Sequence, residues 1–83
     1  MVTVFSTTVC PKCKRLKAFL ESKGIAFESI NMDTAAGMTD LFMLGIVAFE
    51  APVLVGGNNK AMYAKDLFNG TEIQEEAILG FIA

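Results

Sequence analysis

The sequence predicts an α/β fold: a four-stranded mixed sheet with helices on both faces, in the chain order β-α-β-α-β-β-α. Three observations lead there. The opening Met1-Val2-Thr3-Val4-Phe5 alternates and is rich in β-branched residues, and a helical-period segment and a second strand-like stretch follow it. The later run Ala51-Pro52-Val53-Leu54-Val55 is apolar almost throughout, as a strand covered on both faces should be. Directly after it, Gly56-Gly57-Asn58-Asn59 is the strongest turn signal in the chain and sets up an antiparallel return.

Each element has a local cause. Met1 to Phe5 is the first strand, and Ser6 to Val9 is a short loop. A helix starts near Cys10, because Pro11 suits a first helical position, where its missing N–H has no partner to lose. Cys13, Leu16, Phe19 and Leu20 keep the helical period with basic residues between them, and Gly24 closes the helix. Ile25 to Asn31 reads as the second strand, with Phe27 and Ile30 as core contacts. Asp33 or Thr34 caps a second helix whose apolar positions are Met38, Leu41, Phe42 and Leu44, stopped by Gly45. Lys60 to Tyr63 is the returning strand of the hairpin. Asp66-Leu67-Phe68 forms one helical turn, broken by Asn69-Gly70. Thr71 and Gln74 read as a capping box for a last helix that buries Ile73, Ala77, Ile78 and Phe81. The first βαβ unit should be a right-handed crossover between parallel strands.

At 83 residues the chain is expected to be one domain, 1–83, without internal repeat or linker. With 53% hydrophobic and 19% charged residues it can build a core, and it lacks the low hydrophobicity and high charge of a disordered chain. No apolar run approaches the roughly 18 residues of a membrane span. The N-terminus has no basic segment followed by a long apolar core, so a signal peptide is not expected, and the reading is a cytoplasmic protein. The net charge of −2 gives no reason to expect nucleic-acid binding. Lys12, Lys14, Arg15, Lys17 and Lys23 are five of the seven basic residues, either a solvated helix face or a local positive field beside the cysteines.

Both cysteines lie in Cys10-Pro11-Lys12-Cys13. In a cytosolic chain beside a βαβ pattern, this spacing is a redox signal. Cys10 stands at a helix N-terminus, where unpaired N–H groups and the helix dipole favour negative charge and therefore the thiolate, the species that attacks disulfides. Lys12 is placed to support that charge. Cys13, one turn into the helix and more buried, can attack Cys10 in a mixed disulfide and release the reduced substrate. A structural zinc site takes four ligands, and this chain has two cysteines and no histidine, so a metal or iron–sulfur centre would need ligands from a second protomer or from carboxylates. Two inert core cysteines form the remaining alternative.

Taken together, the segment Val2 to Val9, the motif Cys10-Pro11-Lys12-Cys13 and the later Ala51-Pro52-Val53 resemble the glutaredoxin family of the thioredoxin-like fold, over essentially the whole chain. The resemblance implies that Pro52 is cis and faces the nucleophile Cys10, and that the backbone of Ala51 pairs with bound substrate. Against the glutathione-using members, this chain has Thr7 where they usually carry a lysine, and Met62 and Tyr63 where they usually carry paired glycines. Asp66 matches an acidic position of theirs and is a possible glutathione or anion contact. Glu50-Ala51-Pro52-Val53 looks more like the glutaredoxin-like redoxins that donate electrons to ribonucleotide reductase and are reduced by thioredoxin-type reductases. Their usual aromatic-Ser-Gly-Phe segment is replaced here by Met62 to Lys65.

The expected activity is therefore thiol–disulfide exchange, with Cys10 as nucleophile and Cys13 as resolving thiol. Thr8, Val9, Pro11, Lys12, Ala51, Pro52 and Tyr63 are the expected substrate contacts, with Val9, Met62 and Tyr63 as a small apolar patch for protein partners. No bound cofactor or metal is expected, because the thiols are themselves the redox centre; glutathione is disfavoured. The expected partners are a disulfide reductase and a disulfide-containing protein such as ribonucleotide reductase, met by a monomer. A glutathione-dependent dithiol glutaredoxin is the alternative.

Overall fold

The computed structural model describes residues 2–48 and 50–82. Met1, assigned above to the first strand, lies outside them. The elements are β1 (Val2–Ser6), α1 (Pro11–Ser22), β2 (Phe27–Asn31), α2 (Ala35–Met43), β3 (Val53–Val55), β4 (Ala61–Met62), α3 (Ala64–Leu67), β5 (Phe68–Asn69), β6 (Glu72–Ile73) and α4 (Glu75–Ile82). The main sheet has the order β2-β1-β3-β4. β1 runs parallel to β2, with Val4 opposite Ser29, and antiparallel to β3, with Val4 opposite Leu54. β3 and β4 form the expected antiparallel hairpin. This is the four-stranded mixed sheet of a thioredoxin-like fold.

Strand alternation divides the core between the two faces of the sheet. Val2, Val4 and Leu54 pack with Leu16, Phe19 and Leu20 of α1 and with Leu67 and Ile78. Phe5, Val53 and Val55 pack on the other face with Leu41 of α2 and with Ile46. β3 is buried along its whole length because it contributes to both clusters. Glycines end the first two helices: Gly24 and Gly45 follow α1 and α2 with φ of 68° and 77°, a conformation that side chains with a Cβ rarely adopt.

The structure decides one open alternative and corrects several local expectations. Thr34 rather than Asp33 caps α2, accepting a hydrogen bond from the Gly37 N–H at 3.0 Å. The buried residues of α2 are Gly37 and Leu41, whereas Phe42 turns outward to solvent and Met38 and Leu44 are only partly buried. Gly37 sits so close to Asn31 and Met32 that a Cβ there would collide with the Asn31 carbonyl oxygen. That contact sets the rotation of α2 and turns Phe42 away from the core. Phe27 and Ile30 are only half-buried because β2 is an edge strand.

The C-terminal third differs most. The short helix α3 begins at Ala64, and Phe68 is already extended. Asn69-Gly70 does not simply break a helix. Asn69 ends the first strand of a small antiparallel hairpin, β5–β6, in which Phe68 pairs with Ile73 and Asn69 with Glu72, and Gly70, at its tip with Thr71, supplies a φ of 64°. The last helix begins only at Glu75, with the Gln74 carbonyl accepting the Ile78 N–H. Thr71 therefore belongs to the hairpin, and the expected Thr71–Gln74 capping box does not form. Ile73 is buried from a strand, Ile78 from the helix, and Ala77 is exposed. No helix among the described residues is long and apolar enough to cross a membrane.

Candidate active site

Cys10 is the N-cap of α1 and Pro11 its first helical residue. The proline starts the helix without losing a donor, and Cys10 keeps an extended backbone, with φ −151° and ψ 92°. Its sulfur takes the place of a capping oxygen. The Cys13 N–H donates to Cys10 Sγ at 3.1 Å, and the Lys14 N–H donates to the Cys10 carbonyl at 3.2 Å. The first turn of a helix leaves N–H groups such as that of Cys13 without intrahelical partners, and a thiolate at Cys10 would accept it more strongly than a thiol does. Cys10 and Cys13 are joined as a disulfide.

Cys10 is 9% exposed and Cys13 2%, so both sulfurs are largely shielded. The outer cysteine is less exposed than its position at a helix end suggested. Access runs through a groove of about 530 Å³ lined by Thr7, Val9, Cys10, Pro11, Lys12, Glu50, Ala51, Ala64 and Thr71. The Ala51–Pro52 peptide bond is cis. Ala51 and Cys10 share the groove, while Pro52, expected to face Cys10, is buried and does not line it. A second concavity, lined by Val47, Ala48, Glu50, Tyr63, Ala64 and Lys65, adjoins the first through their shared residues Glu50 and Ala64.

The loop before Cys10 is tied to the far end of β2. The Thr8 N–H donates to Asp33 Oδ2 at 2.7 Å, and Asn31 Nδ2 donates to Thr8 Oγ1 at 3.2 Å. Asp33 is itself turned back by its N–H donating to Asn31 Oδ1 at 2.8 Å. Lys12, exposed at the groove, places its ammonium 5.7 Å from the centre of the Phe68 ring, a cation–π distance. Behind the motif, Lys17 Nζ donates to Ser6 Oγ at 3.2 Å.

Among the sequence-derived contacts, the structure brings Val9, Pro11, Lys12 and Ala51 to the groove with Cys10. Thr8 is exposed and engaged with Asp33 and Asn31 instead. Tyr63 lines the adjoining concavity, and its N–H donates to Asp66 Oδ2 at 3.3 Å in the capping of α3. Met62 points the other way, into the α1-side core, because neighbouring strand residues face opposite sides; it adds nothing to a surface patch. Val9 stands in solvent at 86% exposure. Sequence reasoning missed Glu50, Ala64 and Thr71 as lining residues. None lies beside the motif in the chain, and only the folded sheet brings them to it. Asn31-Met32-Asp33 did carry a turn signal, but nothing local told that it would hold Thr8.

Among the described residues no group of three His, Cys, Asp or Glu is placed to hold a metal ion. Fold and site together define a thioredoxin-like redox protein with a Cys-x-x-Cys disulfide at a helix N-terminus. The family model for glutaredoxin matches residues 2–43, half of the chain, and the chain belongs to that family. It is 44% identical over 32 residues to an uncharacterised glutaredoxin-like 8.6 kDa protein in the rubredoxin operon of Clostridium pasteurianum. That match covers 39% of this chain and 43% of that relative's length. The fold is similar to that of the thioredoxin-like protein BC3987, with a TM-score of 0.73 and 17% identity over 99% of this chain and all of the other. It is also similar to the glutaredoxin-like NrdH-redoxin of Escherichia coli, with a TM-score of 0.60 and 22% identity over 75% of this chain and 79% of that one.

Proposed function

We propose that this protein is a dithiol–disulfide oxidoreductase that passes electrons from a thioredoxin-type reductase to protein disulfides. The observation that carries the reading is the Cys10–Cys13 disulfide at the mouth of α1, in a groove shared with Ala51. In the reduced protein, the Cys10 thiolate attacks one sulfur of a substrate disulfide, and the other sulfur leaves as a thiolate. Cys13 then attacks Cys10, the Cys10–substrate bond breaks, and the substrate sulfur leaves with the electron pair and takes a proton from water. The oxidised pair is returned to dithiol by the reductase. The thiols are the only redox group this cycle needs. Val9, Pro11, Lys12 and Ala51 are the substrate contacts we assign to the groove, with Thr8 holding the approach loop, Pro52 buried next to Ala51 and Tyr63 extending the groove. Ribonucleotide reductase is one candidate target, and a reducing, cytoplasmic setting and a monomeric state fit the cycle.

Tyr63 and the engagement of Asp66 favour a protein reductase over glutathione. Tyr63 lines the concavity beside the groove from a position where glutathione-using members usually have glycine, and one carboxylate oxygen of Asp66 accepts the Tyr63 N–H at 3.3 Å. The test follows reduction of the oxidised protein by excess glutathione and by a thioredoxin-type reductase with its electron donor. Efficient reduction by the reductase alone is expected. Efficient turnover by glutathione would move the protein to the glutathione-dependent class. In insulin reduction, Cys10→Ser should abolish activity and Cys13→Ser should accumulate mixed disulfides; full dithiol activity in either variant would sink the mechanism.

A further inference from the structure

The inward stripe of α1 contains a residue that packing alone does not explain. Cys13, Leu16 and Leu20 are buried on that stripe, and Lys17, one helical turn after Cys13, shares it half-buried. Long charged side chains are rarely placed toward a core unless they have a partner. The partner is Ser6, a buried residue at the end of β1, whose hydroxyl accepts from Lys17 Nζ at 3.2 Å. Strand alternation puts Ser6 on the same side of the sheet as Val2 and Val4, the side covered by α1. Side chains on a helix lean toward its N-terminus, so Lys17 extends back toward the turn that holds Cys13.

We propose that Lys17, anchored by Ser6, is a positioning residue whose charge sets the ionisation of the resolving thiol Cys13. This rests on the resolving role assigned to Cys13 above. Before the second step Cys13 must lose its proton to solvent, and its thiolate pair then forms the bond to Cys10 Sγ as the Cys10–substrate bond breaks. Burial opposes that ionisation, since an apolar surrounding favours the neutral thiol. An ammonium within reach of the sulfur would work in the opposite direction, and Lys17 is half-buried on the same face, held by Ser6.

The other groups around this position leave that task to Lys17. β1 and β3 contribute no titratable side chain between Val2 and Ser6 or between Val53 and Val55. On α1 itself, Lys12, Lys14, Arg15 and Glu21 are exposed, and Lys12 is directed to the Phe68 ring. Lys65 and Asp66 of α3, Glu75 and Glu76 of α4, and Glu50 at the groove are exposed as well. Asp33 is occupied with the Thr8 N–H. Cys10 is removed as a competing thiol in the experiment.

The experiment titrates the single thiol of Cys10→Ser by its thiolate absorbance, with and without a second change at Lys17. Lys17→Met keeps the aliphatic stem and removes the charge; the Cys13 midpoint should rise by about one pH unit. Lys17→Arg should keep the midpoint, and Ser6→Ala, which frees the ammonium, should raise it by less than Lys17→Met. In the wild-type motif, Lys17→Met should then slow substrate release up to about tenfold near neutral pH, with mixed disulfide accumulating. An unchanged Cys13 midpoint in Lys17→Met would overturn the proposal. So would an equal rise in Lys17→Met and Lys17→Arg, which would indicate a packing role. Because the thiol titration needs neither substrate nor reductase, its failure is separate from a failure of the proposed electron-transfer activity.

Discussion

On one face of the sheet, Val2, Val4 and Leu54 meet Leu16, Leu20, Leu67 and Ile78, and three helices with the β5–β6 hairpin close over them. On the other face, α2 and the loop after it lie over Phe5, Val53 and Val55, and the end of α2 leaves Phe42 half in solvent and Met43 81% exposed. The redox motif rides on the better-covered face. Cys13 belongs to the inward stripe of α1, so the packing that stabilises the helix also shields the resolving sulfur. The turn between β2 and α2 positions the site in another way, through the polar tie from Asn31 and Asp33 to the loop before Cys10. The α1 face holds the cysteines by burial, and the turn that leads into α2 holds their approach loop by hydrogen bonds.

That contrast can be broken most forcefully at matched leucines. Leu16 and Leu41 are both fully buried, one on each face. Leu16→Ala should cost about 4 kcal/mol and Leu41→Ala about 3 kcal/mol, because a cavity under α2 can be relieved more easily by the partly open surroundings. Denaturant unfolding of the two variants gives the comparison, and a larger loss at Leu41 would reverse it. Gly37→Ala should follow, at roughly 1–3 kcal/mol, because the added methyl group meets backbone rather than a side chain that can move aside. Its thermal midpoint should fall while the Cys10–Cys13 disulfide still forms. Phe42→Ser should change stability least, within about 0.5 kcal/mol, as expected for a largely exposed position away from caps and networks. A loss comparable to Leu41→Ala would mean that the outward face of α2 is covered in solution.

Legibility in the sequence followed the range of the causes. The motif, the helix start at Pro11 and the glycine stops at Gly24 and Gly45 rest on interactions within one or two turns, and they were readable. So was the apolar β3, whose composition records burial on both faces. Phe42 misled because helical period marks a stripe but not the rotation of that stripe, and the rotation is set by a close approach between Gly37 and Asn31. Asn69-Gly70 misled because the same dipeptide can end a helix or turn a hairpin. The choice was made by the Phe68–Ile73 pairing, a contact that no local rule contains.

The sequence by itself determined that a cysteine pair stands at the start of a helix fed by a β-strand, and with it the class of chemistry. Those features depend on backbone capping and residue spacing, which act along the chain. Only the tertiary structure decided what surrounds the pair: Glu50, Ala64 and Thr71 at the groove, Asp33 on the approach loop, and Lys17 held by Ser6 beneath the motif. These groups come from distant positions, and their meeting is a consequence of strand order and helix docking. Burial and hydrogen bonding between such groups exist only once the sheet has closed.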